Sequence, residues 1–187
     1  MTKSIVTCDC AQVAIELEGA PLICAECHCT SCRQAAVRLE QLPLARPMLE
    51  GNAGTQFVLY RKDRVQILRG QHLLEAFRLG PKAPTRRVIS RCCNSPVFLE
   101  FQSGHWLSLY ASLWPEETRP TPQLRTMTGD RTDHMHSMMP FQRAPFRPGD
   151  SMQSCWAPGL PWDSSRQRSA LARRLSGIKA EIEWPRF

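Results

Sequence analysis

Cysteines at fixed short spacings constrain this chain more than any other feature, because thiols that must meet dictate how strands and turns are placed around them. Nine cysteines occur in 187 residues; eight stand at positions 8, 10, 24, 27, 29, 32, 92 and 93, and only Cys155 lies beyond them. The N-terminus, MTKSIVTCDC, offers one lysine and a short apolar stretch, without the apolar core of a secretory signal. The expected compartment is therefore a reducing cytoplasm, where clustered cysteines hold metal or do redox chemistry rather than form disulfides. An odd count also fits a complete disulfide framework poorly. No apolar run approaches the roughly 20 residues of a membrane span.

Zinc sites need thiolates that converge from rigid turns, and C-x-C or C-x-x-C spacings at strand-to-turn junctions supply them. Cys8-Asp9-Cys10 gives one pair, Cys27-His28-Cys29-Thr30-Ser31-Cys32 gives three sulfurs, and Arg91-Cys92-Cys93-Asn94-Ser95-Pro96 gives a late pair. Any one of these could be a buried packing thiol, but seven in three short clusters point to metal. Three ligands from one short stretch leave a tetrahedral ion with an open fourth position, the arrangement of a catalytic site, unless Cys24, Cys10 or a distant side chain closes it. Cys8 and Cys10 with Cys92 and Cys93 would tie the first strand to the end of a sheet as a structural site. Adjacent side chains in extended backbone face opposite ways, so Cys92 and Cys93 can both ligate only in a turn, which Asn94-Ser95-Pro96 favours. Thiol redox within residues 24–32 is the competing chemistry, and it needs no stoichiometric metal.

Prolines and charge divide the chain differently. Eight of the fifteen prolines fall between Pro115 and Pro161. Residues 1–118 carry 13 basic and 11 acidic side chains, whereas residues 119–187 carry 11 and 6. The chain is expected to consist of a cysteine-bearing domain over 1–115 and a proline-rich basic extension over 116–187. In the domain, Ala11, Val13, Ile15 and Leu17 alternate with Gln12, Glu16 and Glu18, the period of a half-buried strand. Further strands are expected at 55–60, 65–68, 73–79, 86–90, 97–101 and 106–111, separated by turn-forming pieces, so the fold class is mainly β. One short helix is expected from Arg33 to Glu40, with Ser31 as its cap, Gln34 completing a capping box and Pro43 stopping it. Cys32 would then be the first helical residue, where the helix dipole favours thiolate. A second helix is expected near 164–177 in the extension.

The order C-x-C, then C-H-C-x-x-C-R, then a late cysteine before Ser-Pro resembles the glutathione-dependent formaldehyde-activating enzyme (Gfa) family, which includes centromere protein V. The resemblance spans residues 8–113, and CHCTSCR is its most specific piece. Ala53-Gly54-Thr55-Gln56, Phe77-Arg78-Leu79 and Arg91-Cys92-Cys93-Asn94-Ser95-Pro96 look more like a bacterial branch than the founding enzyme. The resemblance implies a β-tent fold with two zinc sites, Cys27, Cys29 and Cys32 holding the catalytic ion and Cys8, Cys10, Cys92 and Cys93 the structural one. It also implies carbon–sulfur chemistry: joining glutathione to formaldehyde, or the reverse lyase step. The family's late motif is C-x-x-C-G followed by Ser or Thr and Pro. Here Ser90 stands at the first cysteine and Asn94 at the glycine, so Cys92 must substitute for the missing ligand or the site has three sulfurs.

Other features are weaker signals. Arg33, Arg38, Arg86, Arg87 and Arg91 could each hold a carboxylate of a glutathione-like anion, although such arginines are more often solvated. His28 is expected to point away from the sulfurs, in an outer shell or at the surface. Asp133-His134-Met135-His136 reads as loop, and Cys155 as a small apolar contact beside Trp156. Trp156, Trp162 and Trp184 suggest that parts of the extension dock on a surface. The basic bias of the extension is modest and lacks interleaved aromatics, so a solvated helix face explains it better than nucleic acid does. The leading expectation is a zinc-dependent carbon–sulfur lyase acting on a thiol–aldehyde adduct. Its alternative is a non-catalytic zinc module mediating protein or nucleic-acid contacts.

Overall fold

The computed structural model describes residues 2–101 and 103–130. Their strands are β1 (Lys3–Thr7), β2 (Ala14–Glu18), β3 (Ile23–Cys27), β4 (Thr55–Arg61), β5 (Val65–Arg69), β6 (Leu74–Phe77), β7 (Thr85–Ser90), β8 (Pro96–Phe101), β9 (Trp106–Tyr110) and β10 (Leu124–Thr126). One α-helix, α1 (Thr30–Leu39), lies among them, so the fold is mainly β as the sequence implies. The strands form a three-stranded sheet ordered β1-β2-β5 and a seven-stranded sheet ordered β10-β3-β4-β9-β8-β7-β6. All pairs are antiparallel except β10, which runs parallel to β3.

Because side chains alternate along a strand, the larger sheet presents two apolar faces. On one, Val58, Tyr60, Val88, Phe98, Leu107 and Leu109 pack against Val6, Ile15, Leu17 and Val65 of the smaller sheet. On the other, Phe57, Leu59, Phe77, Ile89, Leu99, Trp106 and Tyr110 lie under α1. The helix buries Cys32, Ala35, Ala36 and Leu39, spaced as one stripe of an amphipathic helix. Burying a leucine such as Leu39 stabilises by about 1.5–3 kcal/mol. The larger sheet is thus the middle of three layers.

Two strands were not expected from the sequence. Lys3–Thr7 becomes β1 through its register with β2, Val6 facing Ile15. Leu124–Thr126 becomes β10 at the sheet edge, next to the Gln123 N–H that donates to the Cys24 carbonyl at 2.8 Å. Ala11 leaves the expected alternation: it has φ +58 and sits in the turn before β2. Among the described residues no helix is long and apolar enough to cross a membrane. The helix expected near 164–177, the Asp133-His134-Met135-His136 run, Cys155, Trp156, Trp162 and Trp184 lie outside the described residues.

Candidate metal centres

The turn after β1 and the turn after β7 bring four sulfurs together. Cys8, Cys10, Cys92 and Cys93 have all their Sγ atoms within 4.8 Å of one another. Cys8 lies 3.6 Å from Cys10 and 3.7 Å from Cys92, and Cys92 lies 3.9 Å from Cys93. These separations are nearly twice a disulfide bond of about 2.05 Å, and all eight described cysteines are free. Local backbone bonds hold the sulfurs there. The Val13 N–H donates to Cys8 Sγ at 3.3 Å, and the Asp9 N–H donates to Ser95 Oγ at 3.1 Å, linking the two turns.

The late turn works as its residues suggest. Asn94 adopts φ +53, the left-handed conformation that glycine supplies more readily and asparagine tolerates. Ser90 N–H closes the turn on Ser95 O at 2.9 Å. Both adjacent cysteines therefore join one group, and Cys92 fills the corner that Ser90 leaves without a sulfur. The Ser90 hydroxyl lies 3.4 Å from Cys93 Sγ, and the Ser95 hydroxyl 3.0 Å. Burial raises the Cys93 thiol, but hydrogen bonds with Ser90, Ser95 and backbone amides outweigh it and bring the pKa down to about 6. Burial, with neighbouring Cys10 and Cys8, pushes Cys92 well above the ordinary thiol range.

The second group lies where β3 passes into α1. Cys27, Cys29 and Cys32 have their sulfurs within 4.8 Å of one another, and among the described residues no fourth cysteine, histidine or carboxylate joins them. Strand alternation separates Cys24 from them: it packs into the core on the smaller-sheet side, whereas Cys27, Cys29 and Cys32 belong to the face under α1. The two sulfur groups therefore sit on opposite faces of the middle sheet.

The helix start differs from the expectation of a Ser31 cap. The helix begins at Thr30, its N-cap is Cys29, and Cys29 Sγ accepts from the Cys32 N–H at 3.3 Å. Cys29 can do this because it keeps extended φ and ψ of −67° and 149°, the backbone an N-cap requires. The exposed Thr30 N–H finds Asp130 Oδ2 at 3.0 Å instead. Cys32 is thus the third residue of the helix, not the first. Hydrogen bonds from Cys27 and Cys32, with those from Ser31 and the Cys32 amide, hold Cys29 well below the ordinary thiol range despite burial. The same neighbours, Cys27 and Cys29, together with burial push Cys32 well above it. Cys29 also raises Cys27. Binding a divalent ion at the three sulfurs would displace their protons.

The surrounding polar groups sort the predicted arginines. Arg33 donates to the His28 carbonyl, to Thr30 Oγ1 at 3.3 Å and to the Asp130 carbonyl at 2.7 Å, bracing the helix start. Arg38 reaches the Leu79 carbonyl at 3.3 Å, and Arg86 pairs with Glu100 at 2.5 Å. Arg91 is exposed. Arg87 alone of the five is fully buried, at 1% exposure, and its Nη2 donates to Ser31 O at 3.2 Å and lies 3.5 Å from Ser31 Oγ. The Ser31 hydroxyl in turn lies 3.1 Å from Cys29 Sγ. His28 is not at the surface: it is fully buried, and its Nε2 lies 2.8 Å from Glu26 Oε1. That carboxylate oxygen also accepts from Asn52 at 2.9 Å and from Arg125 at 2.8 Å. Glu26, Thr55 and Tyr110 carried no local signal in the sequence, because only strand pairing brings them to the site.

The model of the glutathione-dependent formaldehyde-activating enzyme family matches residues 3–128. The chain belongs to this family. The family match takes in both sulfur groups and continues through β10 and Met127 to Thr128. A Rhodobacter sphaeroides protein of known crystal structure is similar to this chain, with 17% sequence identity and a TM-score of 0.44 over 64% of this chain and 98% of that one. Among curated proteins none matches the sequence. Membership, with two cysteine groups able to hold metal ions, makes this a Gfa-like protein with candidate metal centres.

Proposed function

We propose that the chain binds zinc at both sulfur groups and uses the three-sulfur centre to make or break a carbon–sulfur bond between a small thiol, such as glutathione, and an aldehyde. The observation that carries this reading is the contrast between the groups: one offers four sulfurs, the other three with no fourth donor among the described residues. A tetrahedron with metal–sulfur bonds of about 2.3 Å has edges of about 3.8 Å. Three edges of the four-sulfur group, at 3.6, 3.7 and 3.9 Å, are close to that value.

At the three-sulfur centre, bound zinc would supply a Lewis acid that favours the thiolate form of an incoming sulfur. The chain's own residues supply the setting. Cys27, Cys29 and Cys32 fix three corners, the Ser31 hydroxyl and the Cys32 amide hold Cys29, and the N-terminus of α1 favours negative charge there. Addition joins the thiol sulfur to the carbonyl carbon and carries the thiol proton to the oxygen; cleavage reverses both. The family's name, glutathione-dependent formaldehyde-activating enzyme, supplies the two reactants of this reading.

Metal analysis of the full chain, purified without chelators, tests the proposal. Two zinc ions per chain are expected, falling to one in Cys29→Ala, and added glutathione should alter the absorption of the cobalt-substituted protein only when Cys29 is present. Less than one zinc per chain in the unmodified protein refutes the metal assignment. Two saturated sites indifferent to thiol would instead indicate a structural zinc module.

A further inference from the structure

Four buried side-chain atoms among the described residues lack a hydrogen-bond partner: His28 Nδ1, Thr55 Oγ1, Arg87 Nε and Arg119 Nε. Three of the four belong to residues next to the three-sulfur group in sequence, strand register or hydrogen bonding. His28 stands between two of the three sulfurs in sequence, and Thr55 is the register partner of Cys27 across β3 and β4. Arg87 meets the residue before Cys32, and Arg119 shares a cleft with Tyr110. Buried polar atoms are normally satisfied, and a group of exceptions around one place marks something polar that belongs there.

Arg87 is the most informative of them. Its guanidinium is buried without a carboxylate among its described partners, which are Thr85 Oγ1 at 3.3 Å, Ser31 and the Tyr110 hydroxyl. A guanidinium kept this way needs an anion. Its Nη2 edge is turned through Ser31 toward Cys29, so that edge balances the sulfurs. The Nε edge is left over. Tyr110 lies beside the same guanidinium and in the same packed cluster as Cys27, Cys29 and Cys32. Tyr110 also lines a neighbouring cleft with Met48, Glu50, Gln56, Ala111 and Arg119, which the three sulfurs do not border.

We propose that the Arg87 guanidinium and the Tyr110 hydroxyl form the receptacle for the substrate oxygen at the three-sulfur centre. This rests on the carbon–sulfur reading above and names the groups that serve it. In the forward direction the thiol loses its proton and its sulfur forms a bond to the carbonyl carbon. The carbonyl π pair moves onto oxygen, and that oxygen regains a proton. Nothing is oxidised or reduced. The charge that appears on oxygen is the one both donors are placed to receive, and fixed donors of this kind act most strongly in a site that excludes water.

Tyr110→Phe keeps the ring and removes the donor; Arg87→Lys keeps the charge and removes the planar fork. With zinc content and melting temperature unchanged, Tyr110→Phe should lower kcat for thiol addition to formaldehyde about a hundredfold, with KM for the thiol within about twofold. Wild-type kcat in Tyr110→Phe overturns the assignment, and that variant decides if Arg87→Lys fails to fold. If the unmodified protein adds no thiol to formaldehyde, the functional proposal fails separately, and binding decides the receptacle. Formate titrated into the cobalt-substituted full chain should then bind about tenfold or more weakly to Tyr110→Phe than to the unmodified protein. Equal affinity, or no formate binding by the unmodified protein, refutes it.

Discussion

Replacing Cys92 with alanine removes one corner of the four-sulfur group and leaves Cys93 to hold the two turns together. The sulfurs join Cys8 to Cys93, 85 positions apart in the chain. Closing a loop of that size is worth about 4–5 kcal/mol in unfolded-chain entropy, and losing every tie would forfeit that constraint along with the metal's binding energy. Cys92→Ala costs less, because Cys93 still bridges. A structural zinc contributes on the order of 10–16 kcal/mol through four sulfurs, so one corner accounts for roughly 3 kcal/mol. At 2–4 °C per kcal/mol for a chain of this size, the melting temperature should fall by about 6–12 °C. Calorimetry of the full chain, with zinc and again with excess EDTA, reads this directly. The gap between variant and parent should close in EDTA, since the sulfur acts through the ion. Adding Ser90→Cys to Cys92→Ala should restore most of the loss, because Ser90 Oγ already lies 3.4 Å from Cys93 Sγ. Unchanged melting and zinc content in Cys92→Ala, or a gap that persists in EDTA, would refute the four-sulfur clamp.

Gly70 has φ +75, and a Cβ there would meet the Gln12 carbonyl oxygen at 2.5 Å; Gly70→Ala should therefore lose at least roughly 2 kcal/mol by urea denaturation. Glu26→Gln removes the charge that faces Arg125 and His28 and should cost about 3 kcal/mol; an unchanged denaturation midpoint would show that the carboxylate is not the hub of this network. Burial first, then Arg61 and Lys62, lowers the His105 pKa below 6.5. The stability this histidine contributes is therefore full above its unfolded pKa of about 6.5 and lost as pH falls through the lower folded value. Melting temperatures taken between pH 7.5 and 5 should decline less steeply in His105→Gln than in the parent.

The sulfur groups were legible because their geometry is encoded in short spacings: C-x-C, C-x-C-x-x-C and a tight turn need few residues to specify. Strands rich in β-branched and aromatic residues, such as Thr55–Arg61 and Trp106–Tyr110, were legible for a similar local reason. Leu124–Thr126 was not, since three residues carry no period, and the strand exists only because β3 offers it a parallel edge. The helix start was misplaced because Ser31 and Gln34 make a good local cap in isolation. The nearby acceptors, a sulfur of Cys29 and the carboxylate of Asp130, 100 residues from Thr30, move the start upstream. Likewise Arg87 looked like one surface arginine among five until strand alternation turned it inward, and Tyr110 and Thr55 reach the centre only through pairings between β3, β4 and β9.

Cys29 does two things with one atom: its sulfur belongs to the three-sulfur group and also closes the first turn of α1. Any change in what that sulfur binds must therefore be felt by the amide proton of Cys32. The proton sits inside the molecule at the seam between chemistry and backbone, and its exchange rate and nuclear resonance are a gauge already installed. An observer following that single amide would see ligands come and go at the centre without labelling the protein.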